Sequence, residues 1–262
     1  MKPITLTTDF GPGEYVATMK GVILSIAEDA RILDISHTVQ PQDIEQGAYV
    51  LYSALQNFRE GVHIGVIDPG VGTERKGVIV ECESHLLVGP DNGLLMPAAK
   101  KLGMRRVFEI RRREYLLEEM SSTFHGRDVF APVAAHLSLG VSPEKIGEVL
   151  DDWVDLDFGT YEARGKELKG NIIHIDSFGN LISNIPIDVV LELFDFGQRM
   201  EIRTGGKRLS ASFSRTYSGV KENEILVTAS SSDFLEVAAN QGSAAAKLGA
   251  KRGNEIHLSP AG

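Results

Sequence analysis

The sequence predicts an N-terminal doubly wound α/β domain over residues 1–160, followed by a small C-terminal antiparallel β domain over residues 161–262. Three observations predict it. Strand and helix patterns alternate from Ile4 to Asp68. The third strand of that series is apolar at both parities, as expected of a sheet covered by helices on both faces. Beyond Gly170 the texture changes to short strands separated by glycine turns.

Ile4 to Phe10 alternates and runs into Gly11-Pro12-Gly13, a strand followed by a turn. Tyr15, Met19, Val22, Ile23 and Ile26 recur at helical spacing. Arg31 to Ser36 reads as a second strand, and Asp43 as the cap of a second helix, with Gln46 three residues on. Ile44, Ala48, Leu51, Leu55 and Phe58 mark that helix's apolar face, and Val62 to Asp68 is the third strand. Val78 to Val88 reads as a hairpin about Glu83-Ser84, followed by a helix near 97–102 and a short strand at Val107 to Ile110. Asp128 is expected to cap a helix ending at Leu139 and Gly140, with Pro132 in its first turn. A polar linker spans 150–168. Beyond it, strands are expected at Gly170 to Asp176, Met200 to Arg203, Arg208 to Phe213, Ile225 to Ala229 and Glu255 to Leu258, with a helical piece near 187–194.

Composition narrows the function classes. The formal charge is −9, and the one dense basic run, Arg111-Arg112-Arg113, is diluted by Glu114, Glu118 and Glu119. That argues against nucleic acid as a partner and suits a cationic small molecule. No apolar stretch reaches the ~20 residues that span a bilayer, and the N-terminus lacks the pattern of a secretory leader, so a cytoplasmic protein is expected. Cys82 is the single cysteine and sits in an apolar run, which reads as a buried structural thiol.

In an open α/β sheet, function collects at the carboxyl ends of strands. Asp9, Asp34 and Asp68 hold such ends, and Asp9 and Asp68 are followed by Gly11-Pro12-Gly13 and Pro69-Gly70-Val71-Gly72. Glycine turns admit a ligand close to the backbone. Aspartates at such places also simply cap their turns. Gly70-Val71-Gly72 has neither Walker nor Rossmann spacing, so nucleotide phosphates are not indicated. His125, in Phe124-His125-Gly126-Arg127-Asp128, lies before a helix start and can titrate near neutral pH. His136 reads as structural, and His37, His63, His85, His174 and His257 have no companions at metal-ligand spacing. Asp9, Asp68, Asp91, His125 and Asp128 could supply hard metal ligands, though no tight metal motif is present. In the second domain, Asp176-Ser177-Phe178-Gly179-Asn180, Thr216-Tyr217-Ser218-Gly219 and Ser230-Ser231-Ser232-Asp233 place aromatics beside small polar groups, a composition suited to a nucleoside. These residues leave three readings open: a hydrolase, a metal-dependent hydrolase, and a non-catalytic nucleoside-binding protein.

Five motifs in order, Thr8-Asp9-Phe10-Gly11, Ile67-Asp68-Pro69-Gly70-Val71-Gly72, Gly89-Pro90-Asp91-Asn92-Gly93, Phe124-His125-Gly126-Arg127-Asp128 and Asp176-Ser177-Phe178-Gly179-Asn180, resemble the S-adenosyl-L-methionine hydroxide adenosyltransferases. These are hydrolases related to fluorinating and chlorinating enzymes. The resemblance covers residues 4 to about 258. It implies cleavage of S-adenosylmethionine by water to adenosine and methionine, without metal or cofactor, with some members preferring the inverted sulfonium epimer. It also implies a homotrimer with active sites between subunits. The hydrolases' Asp-Arg-His set falls on Asp68, Arg75 and His125. Asp9 is implied to hold the ribose diol, Asn180 the adenine edge, and Phe178 and Tyr217 the faces of the base. Asp176 and Ser231-Ser232 are implied for the methionine amino and carboxylate ends. Where the halogenating branch has tyrosine, threonine, serine and tryptophan, this chain has Asp68, Val71, Gly126 and Gln42, which favours water as nucleophile. Ser232 stands where halogenating relatives have arginine.

Overall fold

The computed structural model describes residues 1–261, which form two compact units, one of Met1–Asp157 and one from Phe158 onward. The first unit runs β1 (Ile4–Thr8), α1 (Glu14–Ile26), β2 (Ile32–Ser36), α2 (Ile44–Leu55), β3 (Gly61–Val66), β4 (Gly77–Glu81), β5 (His85–Pro90), α3 (Met96–Lys101), β6 (Arg106–Ile110), α4 (Ala131–Ser138), α5 (Pro143–Ile146) and β7 (Gly147–Val149). Its seven strands lie in the order β2-β1-β3-β5-β4-β6-β7. The first four are parallel, and β4, β6 and β7 extend the sheet antiparallel. Helices α1 and α4 pack together, as do α2 and α3, and β1, β3 and β5 are buried along their whole length. Both faces are therefore covered, which is why these strands read as continuous apolar runs. Asp43 caps α2 as expected, accepting the Gln46 amide at 3.0 Å.

The register matters most for function. Thr8 at the end of β1 lies opposite Val66 at the end of β3. The next residues, Asp9 and the Ile67-Asp68 pair, therefore leave the sheet side by side at its carboxyl edge.

Away from that edge, the Thr5 hydroxyl bonds His63 Nδ1 and His63 Nε2 bonds His85 Nδ1, each at 2.9 Å. All three side chains are buried. Burial first, then repulsion from His85 and Lys2, lowers the His63 pKa from 6.5 to about 3. His85 is also lowered, by burial and Lys2, with Glu60 opposing. A histidine held neutral in the fold adds stability that is full above the unfolded pKa and is lost as pH falls from 6.5 toward about 3. Between pH 7 and pH 4 this loss is expected to be roughly 3 kcal/mol. Urea unfolding of the wild type and His63→Gln at both pH values checks it, the variant showing the shallower dependence.

The second unit runs β8 (Glu162–Arg164), β9 (Glu167–Ile175), β10 (Leu181–Pro186), α6 (Ile187–Leu193), β11 (Arg199–Thr204), β12 (Lys207–Phe213), β13 (Ile225–Ala229), β14 (Phe234–Ala239), α7 (Ala244–Leu248) and β15 (Glu255–Pro260). The strand order is β10-β14-β13-β12-β11-β15-β9-β8, and a further β9–β10 pairing closes the ring into a barrel. One pair departs from the expected antiparallel pattern, because β12 and β13 run parallel. The barrel core gathers Met200, Ile202, Phe213, Val227, Leu235, Val237 and Ile256. Among the described residues no helix is long and apolar enough to cross a membrane.

Candidate active site

Three side chains of the first unit meet above the carboxyl edge of the sheet. Asp68 follows β3, Arg75 lies on the loop that β3 opens, and His125 precedes a single π turn, Gly126–Phe130, that leads into α4. Arg75 Nε donates to both Asp68 oxygens, at 2.9 and 3.0 Å, and its Nη2 donates to Asp68 Oδ2 as well. The same Nη2 lies 2.9 Å from His125 Nδ1. A guanidinium only donates, so Nδ1 must be the accepting nitrogen. His125 is thus the neutral tautomer with its proton on Nε2. Its pKa is lowered by burial first and by Arg75 second, with Asp68 and Asp128 opposing. The guanidinium is also held over the Phe130 ring, 5.2 Å from its centroid.

Local chain geometry builds this cluster. The turn after Asp68 closes with Val71 N donating to Asp68 O, and Thr73 donating to Gly70 O through both its amide and its hydroxyl. Gly72 has φ +77°, and a Cβ there would stand 2.3 Å from the Ser122 carbonyl oxygen. Only glycine fits, because the loop must press against the segment that carries His125. Asn92 buttresses the strand end by donating to Ile67 O at 2.9 Å.

Asp9 faces the same cleft, whose lining also includes Phe10, Gln42, Asp68, Val71, Phe124, His125 and Gly126. Its Oδ2 accepts the Gln42 amide at 2.8 Å, and Gln42 takes φ +67° to aim that amide. The Asp9 loop is fixed from below. Gly11 N donates to His37 O, and the His37 ring joins the Thr8 hydroxyl at 2.9 Å. His37 Nε2 lies 3.0 Å from Asp34 Oδ1. Asp34, the third strand-end carboxylate, therefore belongs to the scaffold, with Lys20 at 2.6 Å from it. Phe10, Tyr15 and Phe124 pack as one wall with centroids 5.2–5.8 Å apart, Phe124 edge to face with both partners and Phe10 tilted against Tyr15.

Asp128 is not the helix cap. It lies inside the π turn, α4 starts three residues later, and the cap position is Phe130. The Asp128 carboxylate is fully buried, paired with Arg127 and accepting the Ser121 amide at 2.7 Å, so it anchors the segment leading to His125. Of the candidate metal ligands, Asp9, Asp68 and His125 line the cleft, whereas Asp91 and Asp128 do not. Asp91 accepts the Val154 amide, and among the described residues no three His, Cys, Asp or Glu side chains are grouped to hold a metal ion. Cys82 is buried, and burial followed by Glu81 pushes its thiol up to about 12. His136 is a helix residue packed on Tyr115.

In the second unit, Asp176, Phe178 and Asn180 share one tight loop. Asp176 Oδ1 accepts the Phe178 and Asn180 amides and Oδ2 accepts the Asn180 side-chain amide, all at 2.9 Å. Gly179, at φ +82°, lets the loop press on Ser243. Phe178 is 76% exposed and Asn180 is buried. Tyr217 is half exposed, with its hydroxyl donating to Glu236 at 2.9 Å. Ser231 is exposed, whereas Ser232 is buried and its amide donates to Ser230 Oγ. Glu236, which the sequence reading did not single out, is buried. The signal was a lone charge in the apolar run Phe234-Leu235-Glu236-Val237-Ala238-Ala239.

Residues 4–147 match the SAM hydroxide adenosyltransferase N-terminal domain and residues 170–257 its C-terminal domain. The chain belongs to the SAM hydroxide adenosyltransferase family. It is 41% identical to the (R)-S-adenosyl-L-methionine hydrolase of Methanocaldococcus jannaschii, covering 97% of this chain and 95% of that one. It is 36% identical to the (R)-S-adenosyl-L-methionine hydrolase of Salinispora tropica, covering 97% of each. The fluorinase of Nocardia brasiliensis is more distant, at 28% identity over 97% of this chain and 96% of that one. Among solved structures, an uncharacterized conserved protein from Thermotoga maritima superposes with a TM-score of 0.94 at 37% identity, covering 98% and 99% of the two chains. Asp68, Val71, Gly126 and Gln42, the four residues at which the sequence contrasts with the halogenating branch, all line the cleft.

Proposed function

We propose that this chain hydrolyses S-adenosyl-L-methionine, preferentially the (R)-sulfonium epimer, to adenosine and L-methionine. The observation that carries this reading is the Asp68–Arg75–His125 cluster, set in one cleft with Asp9. A sulfonium is already a good leaving group, so the site needs to place water in line with the C5′–S bond rather than to protonate sulfur. Water oxygen bonds to C5′, the C5′–S pair passes to sulfur as methionine, and one water proton leaves. The single lone pair of His125 Nδ1 is taken by Arg75, whereas Asp68 Oδ1 accepts only one Arg75 bond and keeps a lone pair, so Asp68 takes that proton. Arg75 balances its carboxylate, and His125 Nε2–H orients the water. Asp9 is proposed to hold the ribose diol, for which two carboxylate oxygens are well shaped.

Asp176, Phe178, Asn180, Tyr217, Ser231 and Ser232 are proposed to bind the adenine and methionine ends. The proposed assembly is a cytoplasmic homotrimer in which the barrel unit of one subunit completes the cleft of another. No metal or cofactor takes part in the proposed reaction.

Chromatography after incubation with each sulfonium epimer tests the reading. Adenosine and methionine are expected in equal amounts, faster from the (R) epimer, with the rate unchanged after exhaustive chelation. Binding without turnover would leave a nucleoside-binding protein, and loss of the rate on chelation a metal-dependent hydrolase. Sedimentation as a monomer would contradict the shared site.

A further inference from the structure

We propose that Glu236 is a positioning residue: its buried carboxylate holds the Tyr217 hydroxyl and so fixes the half-exposed ring that flanks the adenine. This rests on the reading of the chain as an S-adenosylmethionine enzyme.

Glu236 is a lone charge in β14, a strand buried along its whole length, where it pairs with Ile182 of β10 and Thr228 of β13. Placing a carboxylate there is costly unless it is hydrogen-bonded. The bond it receives is the 2.9 Å one from Tyr217. Tyr217 itself sits on a short turn, Tyr217–Gly219, between β12 and β13, with no side-chain cap to steady it. The residue is 48% exposed while its hydroxyl is tied to the barrel wall. An exposed aromatic on a loop would otherwise sample several rotamers. Pinning the hydroxyl removes that freedom before ligand arrives and lowers the ordering cost of binding.

The surroundings agree. Burial raises the Glu236 pKa, the Tyr217 bond lowers it, and Asp176 raises it again. Burial, then Glu236 and Asp176, pushes the Tyr217 phenol up to about 12. Asp176 therefore lies within electrostatic reach of both, and it is the residue that organises Phe178 and Asn180. Glu236 joins the tyrosine to that same end of the barrel.

Steady-state kinetics on Tyr217→Phe, Glu236→Leu, Glu236→Gln and the Tyr217→Phe/Glu236→Leu double variant test the assignment. Tyr217→Phe and Glu236→Leu are each expected to raise KM about 5- to 10-fold with kcat within about 2-fold. The double variant is expected to be no worse than either single one. Glu236→Gln, whose amide oxygen still accepts the hydroxyl, stays within about 3-fold of wild type. Multiplying KM effects in the double variant, or Glu236→Gln as impaired as Glu236→Leu, would overturn the proposal. If the wild type forms no adenosine, the substrate reading fails, and the tyrosine–glutamate link is read without substrate. In an ultraviolet difference titration against Tyr217→Phe, the Tyr217 phenol is expected to ionise above the ordinary range and to move back toward it in Glu236→Gln. An unmoved phenol overturns the proposal on its own.

Discussion

Asp68→Ala and His125→Ala are each expected to lower kcat at least ~10²-fold, through loss of the proton acceptor in the first and of water positioning in the second, while adenosine still binds. Asp68→Asn should be as slow, because it keeps the shape but removes the acceptor of the water proton. Single-turnover assays and calorimetric binding of adenosine check the two halves separately. The cluster also fixes a pH dependence. Burial and Arg75 hold the His125 pKa below its ordinary 6.5. Protonation removes the lone pair at Nδ1 and sets imidazolium against guanidinium. The rate should therefore hold level as pH falls through 6.5 and drop only below it. A drop centred above pH 7 would contradict the neutral tautomer assigned here.

Arg75→Met is expected to cost about 3–5 kcal/mol of stability as well as turnover. The Arg75 and Asp68 side chains are only 11% and 5% exposed, so removing the guanidinium strands a buried carboxylate. Arg75→Lys should rescue neither property, since a single ammonium cannot reach both Asp68 oxygens and His125 Nδ1 together. Adding Asp68→Asn to Arg75→Met should restore most of the stability and none of the activity. Thermal or denaturant unfolding beside the adenosine assay separates the two effects. Equal stability of Arg75→Met and wild type would mean that the ion pair is not buried in solution.

Asp9, Asp68 and His125 were legible because each sits in a short polar motif at a strand end or before a helix, where backbone geometry alone marks a site. Arg75 was not legible from pattern. It reaches Asp68 only because the chain folds back through Gly72, and the family resemblance supplied it. Asp128 reads as a cap at a helix start, but the π turn carries it inside, where a buried ion pair outweighs a capping bond. His63 and His85 are 22 residues apart in sequence, yet they meet because β3 and β5 are neighbours in the sheet. The parallel half of the first unit was plain from its continuous apolar runs. The barrel was less so. Leu181–Pro186 and Phe234–Ala239 are buried at nearly every position, which removes the alternation that marks a strand, and the β9–β10 closure joins segments by tertiary pairing alone.

Water is proposed to attack C5′ of the substrate in the Asp68–Arg75–His125 cleft. Turnover of (R)-S-adenosyl-L-methionine in ¹⁸O-water, with mass spectrometry of the nucleoside, tests it most directly. The expected product is adenosine carrying one ¹⁸O at the 5′ position, formed by the wild type and suppressed in Asp68→Asn. Unlabelled adenosine, a 5′-chloro nucleoside in the presence of chloride, or labelled adenosine formed equally well by Asp68→Asn would contradict it.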